Sequence, residues 1–232
     1  MRSVKRQMVS LGWICVYSII ILAVILTSKV TYTVDKSEGN GDREEAVLVG
    51  AMGLLFGQVD EAGVFDFCSQ IKEIRSDLKL LRSEAHDNGF IELGNTLQAS
   101  EIACFIAPIY LIAFLIVEIL LFASVAIMLI STPLSLMIKK RKDPDYLRKA
   151  EVDAAANNYL KFYRVEAFLP LFIYAGYWYP TLFANWSIKN ILGSKSSYKI
   201  SLYFESVNLL TFAIIMLVVY FVGSYVIKKI FD

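Results

Sequence analysis

"APIYLIAFLIVEILLFASVAIMLI", residues 107–130, is apolar throughout except for Glu118 at its centre and the hydroxyls of Tyr110 and Ser124. About 20 apolar residues in a helix cross the roughly 30 Å hydrocarbon core of a bilayer, at about 1.5 Å per residue. This run is long enough. It continues outward to Ile102 and Ile138, so the helix either tilts or lets its last turns after Pro133 leave the bilayer toward the lysines. A carboxylate facing lipid is costly, so the Glu118 face is expected to meet protein or water. Its helical neighbours on that face are Leu111, Phe122, Val125 and Leu129. Ala113, Ser124 and Ser131 lie roughly opposite, a strip of small residues expected to admit a second helix closely.

Three further stretches have spanning length: Leu11 to Thr27, Ala167 to Trp186 and Val207 to Ile227. Of the 232 residues 56% are hydrophobic and 19% charged, more apolar than soluble domains. A net charge of +1 gives no basis for a nucleic-acid partner. The fold expected is all-α: a polytopic four-transmembrane-helix bundle with a small helical extracytoplasmic cap between helices 1 and 2. Its segments are 1–28 (cytoplasmic N-terminus and first span), 29–100 (extracytoplasmic), 101–138 (second span), 139–166 (basic cytoplasmic connection), 167–186 (third span), 187–203 (short outer loop) and 204–232 (fourth span and C-terminus). Arg2, Lys5 and Arg6 precede the first span, a basic cluster from Lys139 to Arg164 joins the second to the third, and Lys228 and Lys229 follow the fourth. Basic flanks stay in the cytoplasm, which places both termini inside and the chain in the cell inner membrane. The 28–100 segment, with thirteen acidic and seven basic residues, is then outside. The first apolar run is read as a retained anchor, since no small-x-small cleavage site closes it.

The exterior segment carries its own helical patterns. Asp42 followed by Glu45 resembles a capping box, and the apolar run Ala46 to Phe56 is too short to span. Gly50, Gly53 and Gly57 fall on one face and are expected to let a neighbour pack closely. Ile71, Ile74, Leu78, Leu81 and Ala85 recur at helical spacing with charges opposite. That stripe either covers the glycine-bearing helix or binds a partner protein, and "HDNGF" is the turn that ends it. Cys68 and Cys104 lie on or near the exterior side, where an oxidising compartment would allow a disulfide between them, while Cys15 is a small packing residue of the first span.

Chemical motifs are few. His86 is the only histidine, and no carboxylate pair has metal spacing. P-loop, dinucleotide fingerprint, Cys-x-x-Cys and nucleophile elbow are all missing. The expectation is a protein that is not an enzyme and uses no cofactor or metal. Asn185-Trp186-Ser187 matches a glycosylation sequon. The basic stretch around Lys139 to Lys142 sets topology and suits anionic lipid. The third span is densely aromatic, and Pro180 is expected to kink it and free the Gly176 carbonyl.

Two functions follow. The first is a non-enzymatic inner-membrane protein that binds a protein partner through its exterior segment, as a subunit of an envelope assembly or as a self-protection protein. The topology, with both termini inside and four helices, resembles that of some bacteriocin immunity proteins, which implies neutralisation of a membrane-active toxin. The alternative is a small ion channel or proton-coupled transporter using Glu118. Membrane lipid is a partner in either case, and self-association into a homo-oligomer is compatible with both.

Overall fold

The structure, a computed structural model, describes residues 2–36, 43–142, 145, 146, 149, 159–192, 198–205 and 207–231. It is mostly helical. In chain order come α1 (Arg2–Thr27), β1 (Val30–Lys36), α2 (Arg43–Phe56), α3 (Val64–Asp87), α4 (Ile91–Lys142), a 3-10 segment (Tyr159–Phe168), α5 (Leu169–Leu192), β2 (Tyr198–Phe204) and α6 (Leu209–Phe231). Among the described residues three helical stretches are long and apolar enough to cross a membrane: Val4–Thr27, Ile91–Lys139 and Leu209–Phe231. The chain is therefore read as a membrane protein. The 24-residue α5 contains Pro180 and is not among those three.

Among the described residues there is also a two-stranded sheet, which helical periodicity does not foretell. β1 and β2 pair antiparallel, Val30 opposite Phe204 through Lys36 opposite Tyr198. The segment expected to be a short outer loop, 187–203, instead holds the end of α5 and most of β2.

The chain divides into two compact units. One comprises Leu26–Ala113 and Phe172–Leu209. Its core gathers Tyr32, Met52, Phe56, Phe67, Ile71, Ile74, Leu78 and Tyr177. Phe67 meets the Tyr177 ring edge-on at 4.7 Å and the Tyr32 ring at 5.8 Å, geometry that aromatic quadrupoles favour. The Tyr32 hydroxyl donates to the Tyr177 carbonyl at 2.5 Å, and the Thr181 hydroxyl donates to the Trp178 carbonyl at 2.7 Å. These hydroxyls bind carbonyls immediately after Gly176, in the turn where Pro180 supplies no backbone donor. Gly176 also lets α4 come close, because a Cβ there would lie 2.6 Å from the Leu111 side chain.

α3 ends as its turn residues dictate. Gly89 has φ +82, and the Asn88, Gly89 and Phe90 amides donate to the Glu84, His86 and Ala85 carbonyls, which satisfies the last turn. Asn185 closes the sheet edge: its side chain donates to the Ile200 carbonyl at 2.7 Å and accepts from the Ile200 amide at 2.8 Å. The amide of that sequon is thus committed to the fold.

The other unit comprises Met1–Ile25, Phe114–Leu171 and Leu210–Asp232. Leu11, Ile14, Tyr17 and Ile21 of α1, Leu115, Leu121 and Val125 of α4, and Ala213, Met216 and Tyr220 of α6 are buried in it. A Cβ at Gly223 would collide with the Trp13 ring. Gly223 therefore sets how closely α6 approaches α1 here.

Candidate functional site

In this second unit the buried stripe of α4 runs Leu115, Glu118, Leu121, Val125, at the spacing of one helical face. Glu118 has no exposed surface. Neither of its carboxyl oxygens has a hydrogen-bond partner among the described residues.

A second carboxyl lies beside it. Glu166 is also fully buried, and the two acids are close enough to interact electrostatically. In the sequence Glu166 falls at the end of the basic connection 139–166, two residues after Arg164, where it has the look of a boundary residue. The 3-10 geometry explains the difference. At three residues per turn, positions i and i+3 share a face, so Tyr163 and Glu166 are buried while Arg164 and Val165 are exposed. No apolar periodicity of 3.6 marks such a segment, and its only sequence cue is Pro170, which begins α5 in the first turn where proline is tolerated.

Ser18 of α1 joins the two acids. Its hydroxyl donates to Glu166 Oε1, and Glu118 approaches the same hydroxyl without a hydrogen bond of its own. Glu166 Oε2 has no partner among the described residues. Two tyrosines frame the site. Tyr17 donates to the Ala167 carbonyl at 3.5 Å and Tyr220 to the Tyr163 carbonyl at 2.9 Å, so both hydroxyls hold the 3-10 backbone that carries Glu166. Their rings meet edge-on at 5.0 Å. The small strip on the far side of α4 is used only in part: Ser124 shares a hydrogen bond with the Tyr163 hydroxyl at 2.8 Å, while Ala113 and Ser131 are exposed.

Three carboxyl oxygens of the pair are thus buried without a hydrogen-bond partner among the described residues. An ionised carboxylate without a counter-charge costs several kcal/mol in such a place, and two neighbouring acids titrate as a pair. Were Glu118 to close on the Ser18 hydroxyl, the arrangement could pass a proton between its members: Ser18 would accept the proton of a neutral Glu118 as it released its own to an ionised Glu166, leaving Glu118 ionised and Glu166 neutral. Among the described residues no group of three or more His, Cys, Asp or Glu side chains is suited to a metal ion.

The remaining residues singled out from sequence lie in the other unit. Ile71, Ile74 and Leu78 are fully buried and Leu81 is half-buried, so the stripe of α3 is covered within the chain, and a partner meeting α3 would use other residues. Cys68 and Cys104 are free thiols, as is Cys15. No disulfide links Cys68 to Cys104, and burial pushes the Cys68 thiol up to about 11, which disfavours the thiolate needed for exchange. The three glycines of α2 differ. A Cβ at Gly53 would lie 3.0 Å from Val34 of β1, at Gly57 it would strike the Gly53 carbonyl of its own helix, and at Gly50 it would meet nothing within 4 Å. Gly53 alone serves a close approach to another element. Asp42, the expected cap of α2, lies outside the described residues.

The class these features define is a helical membrane protein with a buried acid pair. Comparison with protein-family models, with curated proteins and with solved structures finds no match.

Proposed function

We propose that the protein is a small ion channel or proton-coupled transporter in which Glu118 and Glu166 hold the exchangeable proton. One observation carries the reading: two fully buried carboxyls close enough to interact electrostatically, three of their four oxygens without a hydrogen-bond partner among the described residues. A purely structural acid pair would be expected to satisfy its oxygens, since each unmet buried acceptor costs about 1–3 kcal/mol. Ionisable groups within membrane-spanning segments are rare and costly, and mark candidate proton or ion pathways. In this reading α1, α4, the 3-10 segment with α5, and α6 supply four membrane crossings. Both termini are in the cytoplasm of a cell bounded by this inner membrane, and residues 29–100 are outside.

The test is proton flux into liposomes containing the purified protein, driven by a potassium diffusion potential and read with a trapped pH dye. Wild-type vesicles should acidify or alkalinise faster than empty ones, and Glu118→Gln and Glu166→Gln should each bring the rate to the empty-vesicle level. A wild-type rate equal to that of empty vesicles, or full rates in both variants, would overturn the proposal.

A second reading, a protein-binding membrane protein of the envelope-assembly or immunity kind, draws on exposed apolar side chains of the segment between the first two spans, Leu54, Phe65, Leu80, Phe90 and Ile91. It predicts that Phe65→Ser with Leu80→Ser abolishes the biological role while Glu118→Gln preserves it.

A further inference from the structure

α3 segregates its side chains into three stripes. Beside the buried apolar stripe, Lys72, Arg75, Lys79, Arg82 and His86 repeat at intervals of three and four, while Glu73, Asp77, Glu84 and Asp87 hold the far side. α3 and the first part of α4 run antiparallel within one unit. The Arg82 guanidinium pairs with Glu101 at 2.7 Å, and the Arg75 guanidinium lies 4.4 Å from the centre of the Phe105 ring. The basic stripe therefore borders α4, and Arg75 covers part of its apolar surface with its own charge still half-accessible.

On α4 the side chains next to this border are exposed and apolar: Ile102, Phe105, Ile106, Ile109 and Ile112. Their spacing puts them on one face of a helix that is long and apolar enough to cross a membrane. Lys72 and Lys79 are exposed one turn to either side of Arg75, and no ion pair is recorded for either lysine among the described residues.

We infer that this border is a binding site for an anionic phospholipid, its phosphate held by Lys72, Arg75 and Lys79 and its acyl chain laid along Phe105, Ile106, Ile109 and Ile112. Charge complementarity selects the headgroup, since lysine and arginine beside a membrane attract acidic lipids by about 1 kcal/mol each. The apolar face selects a lipid over an acidic protein segment: an isoleucine row on a membrane-crossing helix is solvated by hydrocarbon. The site is independent of the carboxyl pair and of its proposed role.

The probe is dioleoyl phosphatidylglycerol, titrated into the full-length protein in a neutral detergent, with dioleoyl phosphatidylcholine and inorganic phosphate as comparison arms. Thermal unfolding and native mass spectrometry are the readouts. Phosphatidylglycerol should raise the unfolding midpoint and appear as bound copies. Phosphatidylcholine should do so far less, and inorganic phosphate should leave the midpoint unchanged. Lys72→Gln with Lys79→Gln, two exposed positions that leave the packed Arg75 intact, should weaken the phosphatidylglycerol response roughly thirtyfold without changing the midpoint in lipid-free detergent. Ile109→Asn should weaken the response to both lipids. Equal responses to the two lipids, an undiminished response in the lysine variant, or an equal response to free phosphate would overturn the inference.

Discussion

The hydroxyl of Ser18 donates to the carboxyl of Glu166, a residue 148 positions later in the chain. It is the one hydrogen bond to either buried acid among the described residues, which makes Ser18 the residue through which the pair is both anchored and connected.

Ser18→Ala should therefore act twice. Stability should fall by about 1–3 kcal/mol, the cost of leaving a buried acceptor unmet, read from chemical or thermal unfolding in detergent. Proton flux in liposomes should fall as well, and Ser18→Thr, which restores a hydroxyl, should recover it. A Ser18→Ala protein with wild-type flux would remove the serine from the proposed relay.

Tyr32→Phe should destabilise by about 1–3 kcal/mol. The ring remains and packs as before against Phe56 and Phe67, so the loss isolates the bond to the Tyr177 carbonyl beside the Pro180 turn. The midpoint of thermal unfolding checks this.

Gly176→Ala and Gly50→Ala form a matched pair. At Gly176 the new methyl meets Leu111 and Tyr110, and overpacking should cost about 1–3 kcal/mol. At Gly50 the position is open, so the gain in helix propensity, up to about 1 kcal/mol, should make the variant as stable as the parent or more so. In one detergent the unfolding midpoint should fall for Gly176→Ala and hold or rise for Gly50→Ala.

Lys29 and Glu61 give a pH signature. The Lys29 ammonium, 3.0 Å from Glu61, hydrogen-bonds its carboxyl and holds it below the usual carboxylate range. The folded state thus gives up that proton more readily than the unfolded chain, so the pair contributes above the ordinary carboxylate range and its contribution fades as pH falls through the folded value. Both side chains are largely exposed, so the effect is small and screened by salt. Lys29→Gln should flatten the acid limb of the stability-versus-pH curve at low ionic strength and leave it unchanged in high salt.

Helical character and membrane class were legible because hydrocarbon solvation acts on long contiguous runs: Val4–Thr27, Ile91–Lys139 and Leu209–Phe231 announce themselves by composition. The turn at Gly89 was legible because its conformation favours glycine locally. Glu118 stood out as a charge among isoleucines. Its companion did not, since Glu166 differs from a boundary residue only through three-per-turn geometry, which the sequence does not encode at short range. β1 was not legible, since its alternation is short: Val30 and Tyr32 are buried with Thr31 between them, while Val34 is exposed. Its partner begins at Tyr198, and pairing over that separation depends on the assembled core rather than on local preference.

That separation has a consequence for biosynthesis. When Lys36 leaves the ribosome, the strand it ends has an open row of amides and carbonyls, and the residues that will close it are not yet made. At about 5–20 residues per second, β1 waits roughly ten to thirty seconds for β2. An unpaired edge invites non-native pairing in that interval, so nascent chains halted before Tyr198 should be the form most prone to aggregate or to be degraded.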